Sequence, residues 1–409
     1  MVKNRKVLLV LGCGIDQIPG ILKAKEMGLY VIALDGNPNA AGKRYSDEFY
    51  TVSIKHIDQI EKFLQSTLNK KIDGVIAFGV DIASIIAKTA DLLGVNYTIP
   101  YESALLSENK FASKEFMRQI NISIPPYKLV ENIKDLKQFI DMYDFPIIIK
   151  PIDNSAARGI SFVKDMNSLE KYYHYALEFS RQKKVQVEKY IDGPQISTES
   201  FVINGKIYNI GFLDRNYNDM YRFLPNIIEN GGDMPSVFMK EKHKKQLKYY
   251  LEHIAKKLNI KNGVIKGDIA IHNDTVYIIE FALRLSGGNF STICILESTG
   301  VDFIKIAINL HLDIPVEEQQ LFIKKDEHIA LRYKFPEDVK KGIVKEIKFP
   351  EKDDNIVLSN FHIKIGDIVS NKTTDHAKRL GFAIAKGNSR KDAILNAQNY
   401  LDKMEIIFE

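Results

Sequence analysis

Residues 263–284 read GVIKGDIAIHNDTVYIIEFALR, and this stretch decides how the rest of the chain is interpreted. Two runs rich in apolar residues flank the polar segment 272–275, which predicts a β-hairpin. Asp268 and Glu280 are equally distant from Asp274 in sequence. In a hairpin centred there, the two carboxylates therefore face each other with Cβ atoms about 5 Å apart.

Two carboxylates in register repel each other unless a cation lies between them or one of them is protonated. Ligands that are all oxygen suit Mg²⁺ or Mn²⁺, usually shared with the phosphates of a substrate. A slipped register would instead leave one carboxylate in solvent. The spacing of Asp268 and Glu280 by itself leaves both interpretations open.

Upstream of the hairpin, two strand ends have groups that suit a nucleotide. Lys150 ends a strand predicted over 145–150 and is followed by PIDNSAARGI, residues 151–160, a loop of mostly small and polar residues. Such a lysine and such a loop can hold phosphate, although a single strand-end lysine is more often simply solvated. The segment 188–191, EKYI, ends another strand, where backbone groups could bind a purine edge between apolar side chains.

Residues 6–105 alternate between strand and helix patterns, which predicts a parallel, doubly wound sheet. Gly12-Cys13-Gly14 follows the first strand, but the dinucleotide fingerprint wants a third glycine where Gln17 stands. A tight turn explains the two glycines at least as well. We therefore expect a small substrate rather than NAD at these strand ends, with three candidate contacts: Gly14, Asp35 and Asp81.

From residue 106 the pattern changes to α+β with an antiparallel sheet, and residues 322–409 contain short strands and a final helix. A chain of 409 residues suffices for two to three domains. Its 45% hydrophobic and 27% charged residues are typical of a folded globular protein. The predicted fold class is thus a multidomain α/β and α+β protein.

Charge, apolar runs and cysteine content exclude several other classes. The net charge of +5, from 57 basic and 52 acidic residues, is too small to predict a nucleic-acid partner. The lysine-rich segment 240–248 is interpreted as one solvated helix face. No apolar run approaches the length of a membrane span, so no membrane partner is expected. Two cysteines, Cys13 and Cys294, cannot build a disulfide framework, which favours a reducing, cytoplasmic location.

Taken in order, these motifs resemble the ATP-grasp superfamily, in its carboxylate–amine ligase branch, over essentially the whole chain. The matching positions are Lys110, Lys150 with its loop, 188–191, Asp268, Glu280 and Arg284. The resemblance implies a Rossmann-like pre-ATP-grasp domain (1–105), an ATP-grasp domain (106–321) with a flexible lid at about 122–186, and a small C-terminal domain (322–409). This last domain resembles that of biotin carboxylase at 364–367, 381–387 and 393–394.

At the phosphate end of the site, the resemblance implies roles for individual side chains. Lys110 and Lys150 would contact the ATP phosphates, and Asp268 and Glu280 would hold Mg²⁺ or Mn²⁺. Arg284 would be catalytic by neutralising the charge of the substrate carboxylate and of the acyl phosphate made from it. The resemblance also implies a catalytic role for Lys150, in addition to its phosphate contact, and for Arg332, which matches the family more loosely.

Around the nucleotide and the second substrate, the resemblance implies further contacts. The nucleotide would be bound by the lid loop, a strand end and one carboxylate, namely Ser155, Gly159, Glu188, Lys189, Tyr190, Ile191 and Glu199. The substrate would approach the backbone at three successive residues after the metal motif, namely Ser286, Gly287 and Gly288.

Two positions depart from the pattern of the family. Its metal motif E-x-N-P-R is EFALR at residues 280–284, so Ala282 stands in place of an asparagine. A water or phosphate oxygen must replace the missing ligand, or a second ion binds weakly. Gln195 stands where a glutamate often contacts the ribose. The number of metal ions and the ribose contact therefore stay open.

The resemblance implies an ATP-dependent ligase that joins a small-molecule carboxylate to an amine through an acyl phosphate, releasing ADP and phosphate. One alternative is a bicarbonate-using carboxylating synthetase of the purine-synthesis type. Another is a non-catalytic subunit that binds ATP without turnover, which Ala282 and Gln195 favour. The residues do not identify the acid or the amine. Relatives are commonly dimers, so a homodimer is an expectation that rests on the resemblance alone.

Overall fold

The first elements of the chain form the predicted parallel sheet. A computed structural model describes residues 5–369 and 372–409; residues 1–4 of the predicted first domain and residues 370–371 of the predicted C-terminal domain lie outside the described residues. The elements are β1 (Val7–Leu11), α1 (Ile18–Glu26), β2 (Tyr30–Asp35), β3 (Glu48–Thr51), α2 (Ile57–Ser66), β4 (Gly74–Ile76), α3 (Ala83–Leu93) and α4 (Tyr101–Glu108). The strands pair in parallel in the order β3-β2-β1-β4. Both β1 and β2 are apolar and almost fully buried, as expected when helices cover both faces of a sheet.

The next segment of the chain forms a second, antiparallel sheet. Its elements are α5 (Lys110–Gln119), β5 (Tyr127–Val130), α6 (Ile133–Tyr143), β6 (Ile147–Pro151), β7 (Ser161–Val163), α7 (Leu169–Phe179) and β8 (Val185–Lys189). The four strands have the order β5-β8-β6-β7. Helices α6 and α7 pack on it with a core of their own. This small layer coincides with the predicted lid, and we call it the lid sheet.

The largest sheet has eight strands and begins with β9 (Gln195–Ile203) and β10 (Lys206–Arg215). Next along the chain are β11 (Gly232–Met234), α8 (Glu241–Lys257), β12 (Gly263–His272), β13 (Thr275–Ala282), α9 (Ile295–Thr299) and α10 (Phe303–His311). The chain ends with β14 (His328–Lys334), β15 (Gly342–Lys348), β16 (Ile356–Phe361), β17 (Ile368–Val369), β18 (Gly381–Gly387), α11 (Arg390–Lys403) and β19 (Glu405–Phe408). The strand order is β13-β12-β9-β10-β11-β14-β18-β16.

The eight-stranded sheet crosses the predicted boundary at residue 322. Strand β11 pairs with β14, so three strands of the C-terminal segment extend the sheet of the preceding segment. Only β15, β17 and β19 form a separate small sheet. One hydrophobic core also joins side chains from all three predicted domains, including Leu8, Phe201 and Phe382. The predicted domain boundaries after residues 105 and 321 therefore remain predictions, since the three segments share one hydrophobic core.

In the β12–β13 hairpin Asp268 lies opposite Glu280, as predicted, but a β-bulge produces this pairing. Its two-residue turn, Asn273–Asp274, has both residues in the left-handed conformation, which is the twist-matched hairpin geometry. Continued without interruption, this turn would place Ile279 opposite Asp268. The register shifts between Asp268 and Ile269, and this shift brings Glu280 opposite Asp268 instead.

In the part of the chain that the structure describes, no helix is both long and apolar enough to cross a membrane.

Candidate nucleotide and substrate site

One cavity of about 620 Å³ lies where the parallel sheet, the lid sheet and the eight-stranded sheet meet. Its walls are strand ends and the loops that follow them, the usual place for ligands in such folds. Most of the predicted site residues line it, namely Asp35, Asp81, Lys110, Lys150, Ser155, Glu188, Lys189, Tyr190, Ile191, Asp268, Glu280, Arg284, Ser286, Gly287 and Gly288.

Two predicted glycines support the cavity without lining it. Gly14 precedes a short helical turn, and Gly12 lines the cavity in its place. Gly159 closes the lid loop with a φ of +74°, and a Cβ atom there would lie 2.6 Å from Cβ of Phe179. Both glycines shape turns while neighbouring residues line the cavity, so their contacts with a ligand stay predictions.

Glu199 also lies behind the cavity wall. Its side chain is fully buried, and its Oε1 atom accepts a hydrogen bond of 2.5 Å from the backbone N–H of Ser286. Burial, only partly offset by the bonds from Ser286, raises the pKa of Glu199 to about 7. In this structure Glu199 therefore holds the loop at residues 286–288, and its contact with a nucleotide stays a prediction.

Arg332 does not face the reacting groups. Side chains alternate across β14, and Leu331 and Tyr333 line the cavity, so Arg332 points to the opposite face of the sheet. There it is 5% exposed and its Nη1 atom lies 2.8 Å from Oδ1 of Asp233. Arg332 therefore does not line the cavity, because the alternation of the strand decides which side chains reach it, and its catalytic role stays a prediction that this placement does not favour.

The two predicted phosphate lysines meet in the cavity, each held by a carboxylate. Nζ of Lys110, at the start of α5, lies 3.1 Å from Oε2 of Glu280. Nζ of Lys150, in β6, lies 2.6 Å from Oε1 of Glu188. Lys114, one turn after Lys110, approaches the same Glu188 oxygen at 3.5 Å, and burial lowers its pKa to about 8. The helical spacing of Lys110 and Lys114 could have identified this third lysine.

An apolar slot lies next to these lysines. Ile148, Tyr190, Ile191 and Ile279 line it, and Phe162 packs edge-on against Tyr190 with ring centroids 5.0 Å apart. The backbone N–H groups of Lys189 and Tyr190 already donate to Pro126 and Pro146. Among these three residues, and within the described part of the chain, only the backbone N–H of Ile191 makes no such bond and could serve a ligand.

The facing carboxylates of Asp268 and Glu280 lie beyond the lysines. Ser197 Oγ donates to Oδ1 of Asp268 at 2.8 Å, Lys266 forms an ion pair with Oδ2, and Arg215 Nη1 lies 3.7 Å from Oδ2. Burial opposes the ionisation of Asp268, but these cations outweigh it and hold its pKa well below the usual range. Asp268 therefore stays ionised and, with Glu280 opposite, places carboxylate oxygens beside Lys110.

Arg284 links the hairpin to the parallel sheet. Its Nε atom donates to Oδ1 of Asp81 at 3.1 Å. Burial alone would raise the pKa of Asp81, but Arg284, Lys110 and Lys266 lower it to about 2. Both side chains therefore stay charged, and Arg284 lines the cavity where the hairpin meets the loop that follows β4.

Sequence analysis missed a cationic cluster that also lines the cavity, formed by Arg215 and Arg379. Arg215 pairs with Glu229, and Nη2 of Arg379 lies 3.2 Å from Oε1 of the same Glu229. The guanidinium of Arg379 stacks 3.8 Å from the ring centroid of Tyr333. Burial opposes the charge of Glu229, but the two arginines lower its pKa to about 2. Arg215 ends β10, which a search of strand ends could have found, whereas Arg379 lies in a turn with no recognisable pattern.

Known structures share this arrangement of sheets around a cavity. The L-amino acid ligase from Bacillus licheniformis has a TM-score of 0.80 and 18% sequence identity, and the similarity covers 100% of both chains. The biotin carboxylase domain of 2-oxoglutarate carboxylase from Hydrogenobacter thermophilus, solved with MgADP and bicarbonate, has a TM-score of 0.76 and 16% identity over 98% of this chain and 90% of that one. The fold is that of the ATP-grasp proteins, as the resemblance implied.

A match to a family model identifies the protein family of this chain. The model described as "Carbamoyl-phosphate synthase L chain, ATP binding domain" matches residues 109–319, just over half of the chain, so the chain belongs to this family. The carbamoyl phosphate synthase large chain of Thermoanaerobacter sp. (strain X514) is 24% identical over 334 residues. That alignment covers 75% of this chain and only 28% of the relative. The chain therefore spans little more than a quarter of the length of such relatives.

Proposed function

We propose that the protein is an ATP-dependent ligase that joins a small-molecule carboxylate to an amine through an acyl phosphate. The observation that carries this proposal is that one cavity joins an apolar slot, two lysines, two facing carboxylates and a cluster of arginines. A purine, a polyphosphate and a carboxylate would each find complementary groups there, in the order in which ATP and an acid must meet.

A divalent cation, Mg²⁺ or Mn²⁺, fits the two facing carboxylates. Asp268 and Glu280 offer only oxygen ligands, which is the donor set of a hard cation. Within residues 5–369 and 372–409, no group of three or more His, Cys, Asp or Glu side chains is arranged to hold a metal ion, so phosphate and water oxygens would complete the shell. When bound, the cation would neutralise charge on the phosphates.

The side chains of this chain would position the reactants and neutralise their charge. Lys110 and Lys150 would hold the phosphates in line with the carboxylate oxygen that attacks the terminal phosphorus. That oxygen forms a new bond to phosphorus while the bond to the leaving ADP breaks. Arg284 would stabilise the negative charge of the acyl phosphate. The amine nitrogen then attacks the acyl carbon, phosphate leaves, and an amide remains.

We place the two substrates at different ends of the remaining space. The carboxylate would lie beside Arg284 and the cationic cluster of Arg215 and Arg379. The amine would approach from the parallel sheet, where Asp16 and Asp35 line the cavity. The similarity in fold to an L-amino acid ligase supports amino acids as the first substrates to test.

The experiment incubates the purified protein with Mg-ATP and pools of amino acids, sugar acids and amines, and follows ADP, AMP and phosphate. ADP and phosphate that require both an acid and an amine would support the ligase. AMP would indicate adenylation and contradict the acyl phosphate. Product formed with bicarbonate as the only acid would favour the carboxylating alternative, so each pool is run in degassed and in bicarbonate buffer. A Glu280→Gln variant purified in parallel controls for contaminating ATPases.

We also propose a homodimer in the cytoplasm. The biotin carboxylase domain from Hydrogenobacter thermophilus is described as a dimer, and dimerisation of this chain can be measured by sedimentation equilibrium. The two cysteines are buried and unpaired in the described structure, in keeping with a reducing compartment.

A further inference from the structure

Lys266 lies in the phosphate end of the cavity, and no role has been assigned to it above. It precedes Asp268 by two residues on β12, so both side chains project from the same face of the strand. Its side chain is 12% exposed, lines the cavity and forms an ion pair with Asp268. A buried lysine in this position adds a fixed positive charge directly beside a predicted metal ligand.

The residue opposite Lys266 makes the arrangement more specific. In the hairpin register, Lys266 faces Ala282 across the two strands. Ala282 is the position at which an oxygen ligand was expected and a methyl group is present. The chain thus lacks one neutral metal ligand and has an ammonium group on the cross-strand neighbour, next to the carboxylate of Asp268.

Repulsion between like charges explains why the lysine at position 266 and the alanine at position 282 occur together. A divalent cation bound next to the Lys266 ammonium would be repelled by it, and it would have no oxygen ligand from Ala282 to offset this cost. Both oxygens of Asp268 already have partners, whereas Lys110 contacts only Oε2 of Glu280 and leaves its Oε1 for a cation in the described structure. The carboxylate pair therefore offers one open oxygen to a divalent cation, and the Lys266 ammonium already supplies a second positive charge.

We propose that the Lys266 ammonium is a built-in cation that takes the place of a second metal ion and contacts the terminal phosphate of the nucleotide. This inference rests on the proposed function, since it assumes that the cavity binds a nucleotide with a divalent cation. It deepens that function by making the site a single-metal site with a catalytic lysine.

The test counts the metal ions bound with a nucleotide. The probe is Mn²⁺ together with the non-hydrolysable ATP analogue AMPPNP, and bound Mn²⁺ is measured by electron paramagnetic resonance. We expect the wild-type chain to bind a single Mn²⁺ with the analogue. A Lys266→Thr/Ala282→Asn double variant removes the ammonium and restores the oxygen ligand, so it should bind a second Mn²⁺.

A single substitution tests the phosphate contact directly. Lys266→Gln should weaken AMPPNP binding at fixed Mn²⁺ by about tenfold or more, because a charge-assisted contact to phosphate is lost. It should weaken ADP binding much less, since ADP lacks the terminal phosphate. Lys206→Gln is the matched control, because Lys206 is an exposed lysine on β10 of the same sheet. Circular dichroism and melting curves of each variant establish that it is folded. If Lys266→Gln does not fold, Lys266→Met replaces it in the same binding measurement.

Several outcomes would overturn the inference, and they differ from failure of the proposed function. Two Mn²⁺ ions bound by the wild-type chain, or equal loss of AMPPNP and ADP affinity in Lys266→Gln, would reject the role of Lys266 while leaving a nucleotide site in place. No binding of Mn²⁺ and AMPPNP by the wild-type chain would reject the proposed function and this inference with it.

Discussion

At the residue scale, the cavity is a set of buried charges that neutralise one another. Lys110 pairs with Glu280, Lys150 with Glu188, and Arg284 with Asp81. Burying an unpaired charge is costly, so each cation that is to meet a phosphate or carboxylate is accompanied by an acidic partner. Replacing one acidic partner should therefore change both the activity of the site and the free energy of unfolding, and the two effects have to be measured separately.

Glu280 provides the most direct test of the phosphate end. Glu280→Gln preserves the size of the side chain but removes the charge that faces Asp268 and holds Lys110. We expect turnover of ATP in the complete reaction to fall by about a hundredfold or more, with the fold intact. The measurement is ADP release, with melting curves for stability. Glu346→Gln, an exposed strand position, is the control, and wild-type rates in Glu280→Gln would contradict the metal site.

Glu199 should make stability depend on pH. Its pKa is about 7 in the folded protein and near its usual value of 4.5 when unfolded, so the folded state binds more protons between these values. Stability contributed by the protonated group is therefore present at low pH and is lost as the pH rises towards and through about 7. Glu199→Gln, which mimics the protonated form, should remove this loss.

The expected signature is a difference that grows with pH. Relative to wild type, Glu199→Gln should be more stable by about 3 kcal/mol at about pH 8, and this advantage should disappear at about pH 4. Thermal unfolding midpoints of both proteins across this range measure the effect. A constant difference between the two proteins would show that the pKa of Glu199 is the same in the folded and unfolded states.

At the element scale, two loops meet at one end of the cavity, and a glycine in each allows them to approach. A Cβ atom on Gly79, after β4, would lie 2.8 Å from Cα of Gly287 and 2.9 Å from the carbonyl oxygen of Ser286. Asp81, two residues on, pairs with Arg284. The spacing of these two loops therefore fixes the position of Arg284, which we propose to be catalytic.

Gly79→Ala should push the loops apart. Gly94, at the end of α3, has a similar positive φ but would meet no atom within 4 Å, so Gly94→Ala introduces backbone strain without a clash. We expect both variants to lose about 1–2 kcal/mol of stability from the left-handed conformation. Only Gly79→Ala should also lose turnover, by about a hundredfold, because Arg284 is displaced. Equal rates in the two variants would contradict this role of the loop contact.

At the scale of the whole molecule, the lid sheet closes against the C-terminal segment. The carbonyl oxygen of Ala156, in the lid loop, accepts a hydrogen bond of 3.0 Å from the backbone N–H of His376. Arg158 in the same loop lines the cavity and donates to the side chain of Asn154. The lid loop therefore connects the cavity with the segment that supplies Arg379.

Nucleotide binding should stabilise this closed arrangement. We expect Mg-AMPPNP to slow cleavage by trypsin after Arg158, because the loop must leave the cavity to enter a protease. Cleavage after Lys352, which lies in an exposed loop between β15 and β16, is the internal control and should not change. Mass spectrometry of the fragments identifies both sites. Unchanged cleavage after Arg158 at saturating nucleotide would contradict closure over the phosphates.

Much of this protein was determined by local patterns in its sequence. Alternating strand and helix signals predicted the parallel sheet, and the spacing of Asp268 and Glu280 predicted their pairing, because strand periodicity is a property of short segments. The order of motifs from Lys110 to Arg284 predicted the ATP-grasp fold. The tertiary structure decided which side chains reach the cavity. The bulge that sets the hairpin register, the outward face of Arg332, the burial of Glu199 and the convergence of Arg215 with Arg379 all depend on packing between distant segments, which no local pattern encodes.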